Sequence, residues 1–354
     1  MEPSTPADGL APDRLEWGRR MGGVLVTGGA GFLGRHLAGA LCARGDRVTV
    51  LDDLSSANSS FDCPELGDPR IARVKASLRD EALVRELVAA HPAVIHLASV
   101  VGVEETVSRT VATVQNLNST LNLVNALTPD HVVLFASSAD VYGAHSHLYD
   151  RPMRETDCFV YEHGLVNRWV YPHVKALEEN LIGNSRARSV ILRIFNTYGP
   201  EMDFPAPKRV IPHFVASVLA RVPLRLSSDG LQRRTFCHVD DMVRGFLLAL
   251  DRGCELRAPE AECFNLGGDE PIAIRDLAGR VVALAVELGL LAEPLPILPG
   301  AFGYSQAFDD SWNRVPDISR ARSLLGFAPR VRLDEGLRRT LAHHAGSSAP
   351  VIRW

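Results

Sequence analysis

The chain has 354 residues, 46% of them hydrophobic and 23% charged, which suits a soluble globular enzyme with ample core. A formal net charge of −4 gives no electrostatic reason to expect nucleic acid or an anionic membrane as partner. No apolar run reaches the ~18 residues of a membrane span, and six scattered cysteines without C-x-x-C spacing point to reduced thiols in a cytoplasmic protein, with no metal site.

Residues 1–21 are rich in proline and charge and lack an apolar stretch, so a loose tail and no secretory signal are expected. From 22 to 195 short β-branched runs alternate with amphipathic stretches, which predicts an α/β fold with a doubly wound parallel Rossmann sheet. The expected strands are GVLVTG, RVTVLDD, IARVKAS, AVIHLAS, HVVLFASS and VILRIFN, with helices near 32–44, 80–91, 109–127 and 171–184. Right-handed crossovers place a ligand crevice at the strands' C-terminal ends. From 196 to 345 Pro- and Gly-rich loops separate helices near 211–221, 239–252, 273–289, 318–325 and 333–345. A smaller substrate-binding lobe is expected there, with a strand and helix near 236–268 returning to the first domain and a second tail at 346–354.

Two strings carry the chemistry. In VLVTGGAGFLG, Gly28, Gly31 and Gly34 lie between an apolar strand and a helix. Such a turn lets the backbone approach a pyrophosphate and aims a helix N-terminus at its charge. Asp52 ends the second strand about 20 residues on, where a carboxylate bonds ribose hydroxyls and repels a 2′-phosphate, favouring NAD over NADP. The bland alternative is a tight structural turn. In YPHVK, Tyr171 and Lys175 are one helical turn apart, so the ammonium is expected to favour the phenolate and make the tyrosine a base. A surface pair is the alternative here. The strand FASSADVYG brings Ser137, Ser138 and Asp140 to the crevice edge, where a hydroxyl can hold the oxygen that Tyr171 deprotonates. Asp140 is either an acid/base or a turn cap. Arg234 offers a fork for phosphate or carboxylate, whereas His96, His213 and His238 suit core positions.

The motifs T-G-G-x-G-F-x-G, H-L-A, S-S-x-x-V-Y-G, Y-x-x-x-K, R-x-F-N-x-Y-G-P and R-x-F-x-x-V-x-D occur in one order over about 22–345. In this the chain resembles the extended short-chain dehydrogenase/reductases that act on nucleotide sugars. RIFNTYGPEM, LQRRTFCHVDDMVRG and NRVPDISRARSLLGFAPRVRLDEGL look most like UDP-glucuronate decarboxylases, the UDP-xylose synthases, and VNRWVYPHVK resembles the decarboxylase of lipid A aminoarabinose synthesis. The resemblance implies NAD contacts at Gly28, Gly31, Phe32, Leu33, Gly34, Asp52, Ser77, Leu78, Leu97, Ala98, Tyr171 and Lys175. It implies catalytic roles for Ser138, Asp140, Tyr171, Lys175 and Arg234, and UDP-sugar contacts at Asn196, Arg209 and Arg234. A homodimer through helices 109–127 and 171–184 is also implied. Ala139, Asp140, Glu201 and Ser77 depart from the family pattern. Every relative of this kind first oxidises sugar carbon 4. Decarboxylation of UDP-glucuronate to UDP-4-keto-pentose or UDP-xylose is expected, with 4-epimerisation the rival. Ala139 withholds the acid that a 4,6-dehydratase needs, and an NAD-sensing binding protein has no use for an intact Ser138–Tyr171–Lys175 set.

Overall fold

In the computed structural model, residues 23–346 are described apart from 57, 101–105, 107, 162–166, 203, 205–208 and 301–311. The tail expected at 1–21 lies outside the described residues, as does all but Gly346 of the tail expected at 346–354. Six strands arise where the sequence alternates β-branched runs with helical stretches: β1 (Val24–Thr27), β2 (Val48–Asp52), β3 (Ile71–Lys75), β4 (Ala93–His96), β5 (Val132–Ser138) and β6 (Arg188–Ile194). A seventh, β7 (Ala261–Leu266), comes from the segment expected to return from the second half. All pair in parallel, in the order β7-β6-β5-β4-β1-β2-β3. The order reverses between β1 and β4, so the crevice opens beyond Thr27 and His96, which are partners in register.

Both sheet faces are covered, which explains why these strands carry apolar side chains at successive positions. Val24 and Val26 face one way and pack with helices α1 (Phe32–Arg44) and α6 (Val239–Glu255), named in chain order with the rest below. Leu25, Val94 and Phe135 face the other way. There they meet Val84 and Val88 of α2 (Glu81–Ala90), Leu123 of α3 (Thr110–Ala126) and Ile182 of α4 (Val170–Gly183). A separate apolar cluster joins α5 (Val210–Ala220), α7 (Ile274–Glu287) and α9 (Leu333–His344), while α8 (Ser319–Leu325) packs back under the sheet. No helix among the described residues is long and apolar enough to cross a membrane.

Candidate active site

The turn from β1 to α1 is built by exclusion. Gly28 has φ +68°, and a Cβ there would lie 2.7 Å from the backbone nitrogen of Ala98. A Cβ on Gly34 would lie 2.5 Å from the Gly28 carbonyl oxygen, so helix and turn close only with glycine at both positions. Gly31 caps α1 without a side-chain acceptor, and no acidic residue fills the first turn, so its amide groups remain available to an anion. Phe32 and Leu33 open the helix and are half-buried. Leu97 and Ala98 follow β4 and are tied to Thr27, through its carbonyl at 3.0 Å and its hydroxyl at 3.5 Å.

Asp52 closes β2, accepting the Ala30 amide at 3.1 Å and the Leu54 amide at 2.8 Å. Burial pushes its carboxyl above the ordinary value, against the pull of those two donors. Ser77 lies beside it, since the preceding Ala76 amide donates to the Asp52 carbonyl; Leu78 is buried behind. A cradle that a Cβ would fill, an uncapped helix start and a carboxylate at the end of β2 together fit a dinucleotide.

At the end of β5 the Ser138 hydroxyl accepts the Asp140 amide at 3.1 Å, capping the turn Ala139–Tyr142. The Ser138 side chain is close enough to Tyr171 of α4 to pull the phenol pKa down. Ser137 points elsewhere, donating to Glu179 at 2.5 Å. The expectation that Lys175 draws down the tyrosine pKa is corrected here. Burial pushes the Tyr171 phenol up, the charges of Asp140 and Glu178 add to this, and Ser138 and Arg209 oppose it. Lys175 lies 3.1 Å from the buried Glu178 carboxylate and 4.5 Å from the centre of the Phe135 ring. Burial therefore favours the protonated phenol over the phenolate.

Asp140 stands among arginines. Its Oδ1 accepts from Arg168 at 2.8 Å and pairs with Arg314 at 2.9 Å. Burial alone would raise its carboxyl, but the charges of Arg314, Arg168 and Arg234 hold it well below the usual carboxylate range. The local fold dictates this convergence. The two-residue strands Arg233–Arg234 and Asn313–Arg314 pair in parallel with Arg234 opposite Arg314, and Arg168 sits in the turn leading into α4. Sequence reasoning singled out Asp140 and Arg234 but missed Arg168 and Arg314. Both lie inside strings quoted for the resemblance, and nothing local marks them, because a carboxylate far away in the chain gives them meaning.

Asn196, between β6 and the strand Thr197–Tyr198, donates its amide to the Thr235 carbonyl at 3.2 Å, next to Arg234. Arg209 caps α5, close enough for its charge to act on Tyr171. Glu201 faces another way, pairing with His343 and lying 3.8 Å from Arg35. His96 is a core residue held between Thr27 and Thr120, His213 is buried in α5, and His238 caps α6.

Residues 24–267 match the NAD dependent epimerase/dehydratase family. A UDP-N-acetyl-alpha-D-glucosaminuronate decarboxylase of Bacillus cytotoxicus is 31% identical over 322 residues, spanning 90% of this chain and 96% of that protein. UDP-glucuronic acid decarboxylase 4 of Arabidopsis thaliana is 31% identical over 324 residues, 89% of this chain and 66% of that longer protein. Among solved structures, a UDP-glucuronic acid 4-epimerase from Bacillus cereus, in complex with UDP-glucuronic acid and NAD, superposes with a TM-score of 0.72 at 25% identity. That match covers 90% of this chain and 98% of the epimerase.

Proposed function

The chain belongs to the NAD dependent epimerase/dehydratase family, with NAD as its cofactor, and from that premise we propose that it decarboxylates UDP-glucuronate through a 4-keto intermediate, giving UDP-4-keto-pentose, UDP-xylose or both. The observation that carries this is the group of three arginines around one carboxylate, Asp140, beside Ser138. Guanidinium groups gathered at this edge of the crevice suit recognition of an acidic sugar or its diphosphate.

Ser138 holds the hydroxyl oxygen on sugar carbon 4, and Tyr171 removes its proton. The β1–α1 turn and Asp52 would hold NAD, which when bound would accept the hydride from carbon 4. The carboxylate on carbon 5 is then β to a ketone and leaves as carbon dioxide. Asp140 competes for Arg168 and Arg314, so the substrate carboxylate is attracted without being firmly neutralised. A tightly paired carboxylate would resist leaving. Ser138 and the Tyr171 phenol then donate to the enolate oxygen.

Dehydration finds no support at Ala139, an apolar side chain buried with Val141 and Tyr142. Epimerisation at carbon 4 is the second reading, supported by the likeness to the Bacillus cereus epimerase. Product mass separates them. With UDP-glucuronate labelled at carbon 6, release of labelled carbon dioxide is expected. Unchanged mass with UDP-galacturonate accumulating would overturn the decarboxylase reading. UDP-N-acetylglucosaminuronate belongs in the same panel, given the Bacillus cytotoxicus relative.

A homodimer through α3 and α4 belongs to this proposal. Val111, Val114 and Leu121 of α3 are exposed at helical spacing, and Leu177 of α4 is exposed as well.

A further inference from the structure

Behind Lys175 runs a line of buried side chains that the proposed chemistry does not use. Glu178 Oε1 accepts the Thr120 hydroxyl at 2.6 Å, and Thr120 lies 3.1 Å from His96 Nε2. His96 Nδ1 is 2.7 Å from the Thr27 hydroxyl, whose oxygen accepts the Ala98 amide at 3.5 Å. With Thr120 donating to the carboxylate, His96 carries its proton on Nε2 and accepts from Thr27 on Nδ1. Every donor in the line then points toward Glu178. Thr27, Thr120 and Glu178 are each 0% exposed, His96 1% and Lys175 2%. The line joins the residue before Gly28 in β1 to the lysine of α4, crossing β4 and α3.

We propose that Glu178 is a positioning residue that keeps the buried Lys175 an ammonium and ties it to the glycine turn. The inference rests on reading Lys175 and Tyr171 as the proton-handling pair. An isolated ammonium in this setting would shed its proton, since burial disfavours the charged form and only a paired charge survives there. Glu178 provides the pairing, and three hydrogen-bonded side chains from three other elements fix where it sits. The other titratable groups close to the pair are His96 in β4 and Tyr171 on the same helix, and Tyr171 in turn feels the charges of Asp140 beyond β5 and Arg209 at the start of α5. His96 adds no charge near neutral pH, because burial lowers its pKa to about 4.

The experiment follows Lys175 directly. The chain has three lysines, Lys75, Lys175 and Lys208, so protein labelled with 13C at lysine Cε gives three resonances, and Lys175→Arg identifies the one of interest. In Glu178→Gln, Lys175 is expected to lose its proton at least about one pH unit lower than in the unaltered protein. NAD affinity by calorimetry should fall on the order of tenfold. Glu178→Asp retains the charge one methylene farther away, so a smaller shift in the same direction is expected, and it serves if Glu178→Gln does not fold. A Lys175 titration unchanged or moved upward in these variants overturns the proposal. No substrate enters this measurement, so failure here is distinct from failure of the decarboxylase reading, which product mass decides.

Discussion

Tyr171 and Asp140 share a buried neighbourhood yet are driven in opposite directions, the phenol up by burial and the carboxyl down by Arg314 and Arg168. Tyr171→Phe removes one oxygen, so turnover is expected to fall about 10²–10⁴-fold with an unchanged melting temperature. Retention of more than about a tenth of turnover would mean that Tyr171 is not the base. Asp140→Asn releases Arg168 and Arg314 toward the substrate. The expected result is a KM equal to or below that of the unaltered enzyme and a lower kcat, measured by carbon dioxide release. A raised KM with unchanged kcat would show that Asp140 serves only to bind. Asp52→Ala should weaken NAD and narrow its advantage over NADP in calorimetry, because the carboxylate that opposes a 2′-phosphate is gone.

At the scale of elements, the site is assembled from ends. β5 delivers Ser138, α4 delivers Tyr171 and Lys175, and a small sheet from the second half of the chain delivers Arg234 and Arg314. The exposed apolar side chains of α3 lie at i, i+3 and i+10, one face of a helix that already buries Thr113, Thr120 and Leu123 on another. Val111→Asp combined with Leu121→Asp should leave the fold intact and convert a dimer to a monomer in light scattering at micromolar concentration. A monomer before any substitution would refute the proposed dimer.

Over the whole molecule, acid is expected to loosen the fold through histidines that remain neutral inside it. Burial lowers the His96 pKa from 6.5 to about 4, and lowers His36 and His213 as well. The unfolded chain therefore binds more protons between pH 6.5 and 4, so stability present above pH 6.5 is lost as pH falls through that window. His96 alone accounts for about 2 kcal/mol between pH 6.5 and 5, at about 1.4 kcal/mol per unit. Denaturant unfolding at pH 7.5 and pH 5 checks this. Equal stabilities at the two values would show that His96 protonates without cost in the folded protein.

The six strands, nine helices and glycine turn were legible in the sequence because local rules write them. Apolar runs bounded by turns give strands, 3.6-residue periodicity gives helices, and the spacing of Gly28, Gly31 and Gly34 meets a steric demand within one turn. Ser138, Tyr171 and Lys175 were legible for a similar reason, each sitting in a short string with its own pattern. The proton states were not. Lys175 four residues from Tyr171 suggested a lowered phenol pKa, but burial depth and the charges of Glu178 and Asp140 are properties of packing, and they reversed the sign. Arg168 and Arg314 stand 28 and 174 positions from Asp140, a separation that no window of sequence spans. Local composition determined which elements form and where the reactive side chains sit along them. Tertiary structure alone decided which charges meet, because the energy of a buried ion pair depends on distance and solvent exclusion, and both are set only when distant segments fold together.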